Sequence, residues 1–269
     1  MIRQNLHTHT LYDDGDSTPG EMAAGAAAAG LTSLGFSGHS VLPYDNDWAM
    51  TERSREAWLT DVEKTRRAMA GRLGIFLGLE WDLLSGPPEG YDYVIGSIHH
   101  IGAGTPPATV DESPEATRAV ISEEYASDPD AFAEAYFAQY QRLAACPFVD
   151  IVGHFDLLTK FDEKEAIFDA RSRRFREAAL AALETLCRAD KIFEVNTGAI
   201  ARNWRTAPYP APELLRELKA RGARVLVTSD AHRADAVAFA FPAAEQLLRD
   251  TGFREIWELT DRGFVPARL

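Results

Sequence analysis

The sequence predicts an α/β fold, a single distorted (β/α)7 barrel with a metal site at the C-terminal ends of its strands, and three observations carry that expectation. Short runs rich in β-branched and apolar residues alternate with longer helical patterns along all 269 residues. No linker or break in composition divides the chain, so it reads as one domain over residues 1–269. Each of the seven histidines falls at or just after the end of a candidate strand, the place where barrel enzymes assemble their sites. An open parallel sheet would show the same alternation.

In chain order, the candidate strands are Ile2 to Leu6, Leu31 to Ser37, Ile75 to Leu79, Tyr93 to Ile98, Phe148 to Val152, Ile192 to Val195 and Arg224 to Thr228. Thr18-Pro19-Gly20-Glu21 offers an N-cap, a first-turn proline and a capping-box acid, and Gly30 a stop, so the alanine-rich stretch Ala23 to Ala29 reads as helix. Ser127 and Pro129 open a helix running to about Ala145. Asp169 to Ala189 gives another, and Pro212 to Gly222 a third with its stop in place. The connections Ser40 to Thr51 and Gly102 to Ser127 are long for this architecture. Both are expected over the C-terminal face, either as tolerated insertions or as covers for a substrate.

Composition narrows the functional class. A net charge of −13 with no basic run argues against nucleic acid and anionic membrane as partners. No apolar run approaches a membrane span and the N-terminus carries no leader pattern, so a cytoplasmic protein is expected. Cys146 and Cys187 lie far apart without a Cys-x-x-Cys spacing and read as packed thiols.

His7 and His9 are two apart, which in an extended strand places both imidazoles on one face; Asp230 and His232 repeat the arrangement after the last strand. A lone histidine beside a strand is usually just hydrogen-bonded, but His-x-His with Asp-x-His on opposite arms of one barrel points to metal. Glu80 and Asp230 each end a strand and are able to bridge cations. Three dications would bring about six positive charges against Asp14, Glu80 and Asp230. That balance suits a phosphate.

Asn5-Leu6-His7-Thr8-His9-Thr10, Gly35-Phe36-Ser37-Gly38-His39-Ser40, Gly78-Leu79-Glu80, Ile95-Gly96-Ser97-Ile98-His99, Val152-Gly153-His154-Phe155-Asp156, Phe193-Glu194-Val195-Asn196-Thr197 and Thr228-Ser229-Asp230-Ala231-His232 follow one another in order. Together they resemble the motifs of the polymerase and histidinol phosphatase (PHP) family, especially its stand-alone histidinol-phosphate phosphatases. The resemblance implies a trinuclear site, with one metal on His7, His9, Glu80 and Asp230 and Glu80 bridging. A second metal would take His39, His232 and Asp14, and a third His99 and His154. Many relatives carry a histidine in the first loop where this chain has Asp13, Asp14 and Asp16, and Asp14 is the preferred ligand among them. Two to three divalent transition metals are implied, with zinc, iron and manganese all compatible with the donors.

The implied reaction is hydrolysis of a phosphate monoester, L-histidinol phosphate to L-histidinol and phosphate as in histidine biosynthesis, with a metal-bound hydroxide attacking phosphorus in line. Asp230, Glu80 and Arg202 are the expected catalytic residues. Lys160, Arg202, Arg205 and Arg233 are candidates for the phosphate, with solvated surface as the alternative for each, and His100 is either substrate-facing or behind the ligands. Glu194 and Asn196 share a strand face and are expected to orient ligands. Asp45, Asp47 and Glu112 are able to pair with a protonated amine on the small phosphorylated substrate. The alternatives are a broad-specificity or nucleotide-directed phosphoesterase and, more remotely, a metal-dependent amidohydrolase or a non-catalytic metal-binding module.

Overall fold

The computed structural model describes residues 1–269. Seven parallel strands pair in chain order: β1 (Gln4–Asn5), β2 (Ser33–Phe36), β3 (Gly74–Asp82), β4 (Tyr93–Ser97), β5 (Ile151–Val152), β6 (Ile192–Asn196) and β7 (Arg224–Thr228). The sheet curls until its edges meet at the mouth, where Thr8 bridges Ala231, His9 N donates to Ala231 O at 2.9 Å and Ala231 N donates to His7 O at 3.2 Å. The result is a nearly closed barrel, and the residues that close it flank His7, His9 and Asp230.

At the opposite end the β1–β7 gap is filled by a C-terminal hairpin, β8 (Glu255–Thr260) and β9 (Gly263–Arg268), which the sequence reading had not singled out. The Gln4 side chain takes the place of a neighbouring strand, accepting from Leu259 N at 2.7 Å and donating to Leu259 O at 2.9 Å. Leu259 thereby joins Leu6, Ile95, Ile151, Ile192 and Leu226 in a small apolar cluster inside the barrel.

Four strands are shorter than expected, β2 without Leu31, Thr32 and Ser37 and β4 without Ile98, and for β1 and β5 the reasons are local. The amide of His7 turns to Asn5 Oδ1 instead of a neighbouring strand, which ends β1, and Val149 N bonds Cys146 O in a turn that removes the start of the Phe148 run. β3 is longer than expected and runs on through Glu80 and Trp81 to Asp82.

The helices coat the outside. In the first, Pro19–Ala28, both reciprocal bonds of the Thr18–Glu21 capping box are formed. Helix Arg173–Arg188 turns Phe175, Ala179, Ala182, Leu183 and Leu186 inward at helical spacing, each large side chain contributing about 1.5–3 kcal/mol of burial. The helix expected from Ser127 to Ala145 is two, Pro129–Ala138 and Tyr140–Ala144, and its cap is Asp128; Ser127 has φ of 61° and lies outside. The Gly102–Ser127 connection contains a further helix, Pro114–Glu124, capped by Ser113.

Tyr93 lies across the barrel interior and its hydroxyl donates to the Leu6 carbonyl. Space for the ring comes from Gly35 and Gly78, where an added Cβ would stand 2.1 Å from the Tyr93 hydroxyl oxygen and Cζ respectively. Gly78→Ala should therefore lower unfolding free energy by about 1–3 kcal/mol in a urea titration. Gly86→Ala, where the added Cβ meets nothing within 4 Å, should stay within about 0.5 kcal/mol of the parent. Equal stability of the two variants would contradict this packing.

Candidate metal centre

The mouth gathers side chains from the ends of six of the seven strands. His7 and His9 leave β1 two residues apart with ring centroids separated by 5.2 Å. Glu80 comes from within β3, His39, His99 and His154 follow β2, β4 and β5, and Asp230 with His232 follows β7. Asp230 itself has φ of 47°, a left-handed conformation that Asp tolerates better than most residues. Gly198 makes room beside it, because a Cβ there would approach Asp230 Oδ2 to 2.9 Å and Arg202 Nη2 to 3.0 Å.

Around Glu80 Oε2, His7 Nε2 stands at 3.2 Å, His9 Nε2 at 3.5 Å and His39 Nδ1 at 2.9 Å. Around Oε1, His154 Nε2 stands at 2.8 Å and His99 Nε2 at 3.3 Å. Asp230 Oδ1 lies 3.7 Å from His7 Nε2 and 3.3 Å from His9 Nε2. Metal–ligand bonds of about 2.0–2.2 Å imply tetrahedral edges of about 3.3–3.6 Å. The His7, His9, Glu80 and Asp230 separations of 3.2–3.7 Å fall around that range. His7 Nε2, His9 Nε2 and Glu80 Oε2 are moreover buried and have no hydrogen-bond partner, an expensive state that a shared cation relieves. On chemistry and spacing alike, this donor set fits a metal.

A second group joins His9, Asp14, His39 and His232, with Asp14 Oδ2 3.1 Å from His232 Nε2 and Oδ1 3.7 Å from His39 Nε2. His99 and His154 do not form a separate pair, because both meet Glu80 Oε1, and His39 reaches two groups through its two nitrogens. The donor groups therefore share members and crowd around one carboxylate, Glu80.

Behind the cluster lies a shell of orienting acids. Glu194 Oε2 accepts from His7 Nδ1 and Thr228 Oγ1, each at 2.8 Å, and Oε1 takes the Asn196 amide at 2.9 Å. Two members were missed in the sequence. Asp13 Oδ2 holds His9 Nδ1 at 2.6 Å and the His39 amide at 3.1 Å, and Asp82 Oδ2 stands 2.9 Å from His100 Nδ1 and 3.4 Å from His99 Nδ1. Their positions offered a signal, since Asp13 follows His9 by four and Asp82 shares a strand face with Glu80.

A cavity of about 630 Å³ opens over these groups, with Asp45, Asp47 and Trp48 on one side and Asp111 and Glu112 on the other. Both long connections thus contribute to its walls. The Trp48 ring stands edge-on to His39 at 4.7 Å. Arg202 reaches the cavity, its Nη2 donating to Asp230 Oδ2 at 2.9 Å, and Lys160 Nζ donates to Asp111 Oδ2 at 2.9 Å.

Three proposed substrate contacts are elsewhere. Arg205 is buried beyond Tyr209 against Thr159 and Asp156, because Asn203, with φ of 57°, turns the chain between Arg202 and Arg205. Arg233 is exposed and paired with Asp235 at 2.8 Å. His100 is buried behind His99, between Asp82 and the Tyr44 hydroxyl, and does not line the metal cavity.

Charge shifts follow from the crowding. Burial opposes the charge on His7, yet Glu194, Glu80 and Asp230 outweigh it and raise the pKa well above the ordinary value. Burial and the neighbouring His39 oppose His9, but Asp13 and Asp230 raise it to about 9. Burial likewise opposes His99, which Glu80 and Asp82 raise to about 9. Glu80 runs the other way: burial pushes it up, and His39, His7 and His99 hold it well below the usual carboxylate range. Without cations, protons on the imidazoles supply the positive charge that the acids require.

A family model described as PHP domain matches residues 5–198. A Deinococcus radiodurans protein named "Probable histidinol-phosphatase" is 30% identical over 267 residues, which span 93% of this chain and 94% of that protein. The histidinol-phosphatase of Bacillus subtilis is 24% identical, spanning 90% and 98%. The crystal structure of histidinol phosphate phosphatase from Lactococcus lactis, complexed with zinc, L-histidinol and phosphate, shares the fold with a TM-score of 0.76 at 18% identity, over 98% of both chains.

Metal ligation needs neutral imidazole, so at pH 7 uptake must expel the protons that His9 and His99 hold up to about 9. Calorimetric titration of metal-free protein with zinc, in buffers of different ionisation enthalpy, should show proton release at pH 7 and tighter binding as pH rises toward 9. Uptake without proton release at pH 7 would contradict the charge balance drawn here.

Proposed function

Because the chain belongs to the PHP-domain family of metal-dependent phosphoesterases, we propose that it hydrolyses L-histidinol phosphate to L-histidinol and phosphate. The observation that carries this reading is the combination of a Glu80-centred donor cluster with an acidic wall on the same cavity. In this reading His7, His9, Glu80 and Asp230 hold one cation, Asp14, His39 and His232 a second, and His99 and His154 with Glu80 a third. When bound, two to three zinc, iron or manganese ions supply the charge that lowers the pKa of water and neutralises phosphoryl oxygens.

The chain's own residues do the rest. Arg202 is anchored on Asp230 through Nη2, with Nη1 3.0 Å from His232 Nδ1, and lines the cavity, so its guanidinium charge stands beside the place where a phosphoryl group would sit. Asp13 and Glu194 fix the rings of His9 and His7 so that little reorganisation accompanies the reaction, and Asp82 stands 3.4 Å from His99 Nδ1 while holding His100. Asp230 both ligates and orients Arg202, and Glu80 holds the cluster together. The metals grip any phosphoryl group alike, so preference among monoesters rests on the walls. Asp45, Asp47 and Glu112 present carboxylates to a leaving group that carries an amine, and Trp48 offers a flat face to an imidazole.

A side-by-side assay on metal-loaded enzyme tests the substrate. L-histidinol phosphate should be hydrolysed with kcat/KM at least about tenfold above that of p-nitrophenyl phosphate and of simple aliphatic monoesters. Equal values would leave a phosphoesterase of broad specificity and remove the histidinol phosphate assignment.

A further inference from the structure

Away from the metal mouth, a second cavity of about 620 Å³ opens between helix Arg173–Arg188 and helix Pro212–Ala220. It shares no lining residue with the metal cavity. Asp156 and Arg205 are buried in its wall, with Arg205 Nη1 donating to Thr159 Oγ1 at 2.9 Å and lying 3.4 Å from Asp156 Oδ2. Neither side chain is satisfied, since Asp156 Oδ1 and Arg205 Nε are buried without a hydrogen-bond partner.

Asp162 lies on the same cavity. Its Oδ1 accepts the amides of Ile167 and Phe168 at 3.2 and 3.1 Å, and burial pushes its carboxyl up to about 6 against the opposing effect of these amides and Arg205. At the rim, Arg216 is tied to Glu213 at 2.8 Å, whereas the guanidinium groups of Arg171 and Arg176 make no ion pair. Phe175 and Leu214 add an apolar wall. Unpaired charges of both signs thus face one space large enough for a small metabolite. A simple anion would leave Asp162 and Asp156 Oδ1 unmatched, and a simple cation would leave the arginines so.

We propose that this cavity binds a small zwitterion of the free α-amino acid type, its carboxylate received by Arg171 and Arg176, its ammonium by Asp162 and Asp156, and an apolar or aromatic side chain by Phe175 and Leu214. The groups of candidate metal ligands all lie at the mouth, and the role assigned to this cavity is binding alone. It is nevertheless close to the chemistry: Asp156 follows His154 by two residues, and Tyr209 lies 4.3 Å beneath the Arg205 guanidinium and 6.3 Å from the His154 ring.

The test uses the metal-loaded, full-length protein, screened by thermal shift against the standard L-amino acids singly at about 10 mM, with hits measured by calorimetry. At least one amino acid should raise Tm, and its N-acetyl and carboxamide derivatives, each lacking one charge, should bind at least about tenfold more weakly. Arg176→Ala and Asp162→Asn should each weaken binding by at least about tenfold while hydrolysis of p-nitrophenyl phosphate is unchanged. No shift with any amino acid, equal binding of the singly charged derivatives, or equal binding by the parent and both variants would overturn the proposal.

Discussion

A buried carboxylate surrounded by five imidazoles is the constraint on which the rest of the molecule depends. Glu80 is 1% exposed, and its two oxygens lie within 3.5 Å of His7, His9, His39, His99 and His154. An ionised carboxylate in such a place is costly unless it is paired, and the imidazoles pair with it only while they carry positive charge or share a cation with it. The neutral metal-free cluster is therefore the least favourable of its charge states, and the fold has been organised around supplying positive charge to one point.

That requirement explains why barrel closure and the site coincide. The backbone bonds between His7, His9 and Ala231 that join the last strand to the first also set the spacing of the His7, His9 and Asp230 side chains. A shift of register there would turn the imidazoles out of the mouth. The far end carries no such demand, so the gap is filled by Leu259 and the Gln4 amide, an arrangement that needs only apolar volume and two hydrogen bonds. Stability and function are thus divided between the two ends of the barrel, as the architecture generally permits.

The parts of this arrangement that follow from short-range rules were legible in the sequence. His-x-His and Asp-x-His obey the two-residue period of extended chain, and the Thr18 capping box is local. The parts that depend on where the chain turns next were not. Arg202 and Arg205 are three residues apart and follow the same strand, yet the left-handed turn at Asn203 between them leaves one at the mouth and the other behind Tyr209. Asp82 reads as an ordinary charge until its partner His100 is seen from across the fold, and Asp13, a candidate ligand of the first loop, instead holds the His9 ring. The terminal hairpin escaped notice because Glu255–Thr260 does not alternate: Ile256 and Trp257 are adjacent apolar residues, and the buried positions Ile256 and Leu259 are three apart. The sharing of His39 between two groups was also beyond sequence, since one histidine side chain has two nitrogens and those of His39 face Asp14 and Glu80.

The central claim is that Glu80 is the common ligand of more than one cation. X-ray diffraction from metal-loaded crystals, with anomalous differences recorded at the absorption edge of the bound metal, measures this directly. At least two anomalous peaks are expected about 3.5–4 Å apart, with the Glu80 carboxylate between them and His7, His9 and Asp230 around one of them. A single peak, or peaks that leave Glu80 outside the coordination sphere, would contradict it.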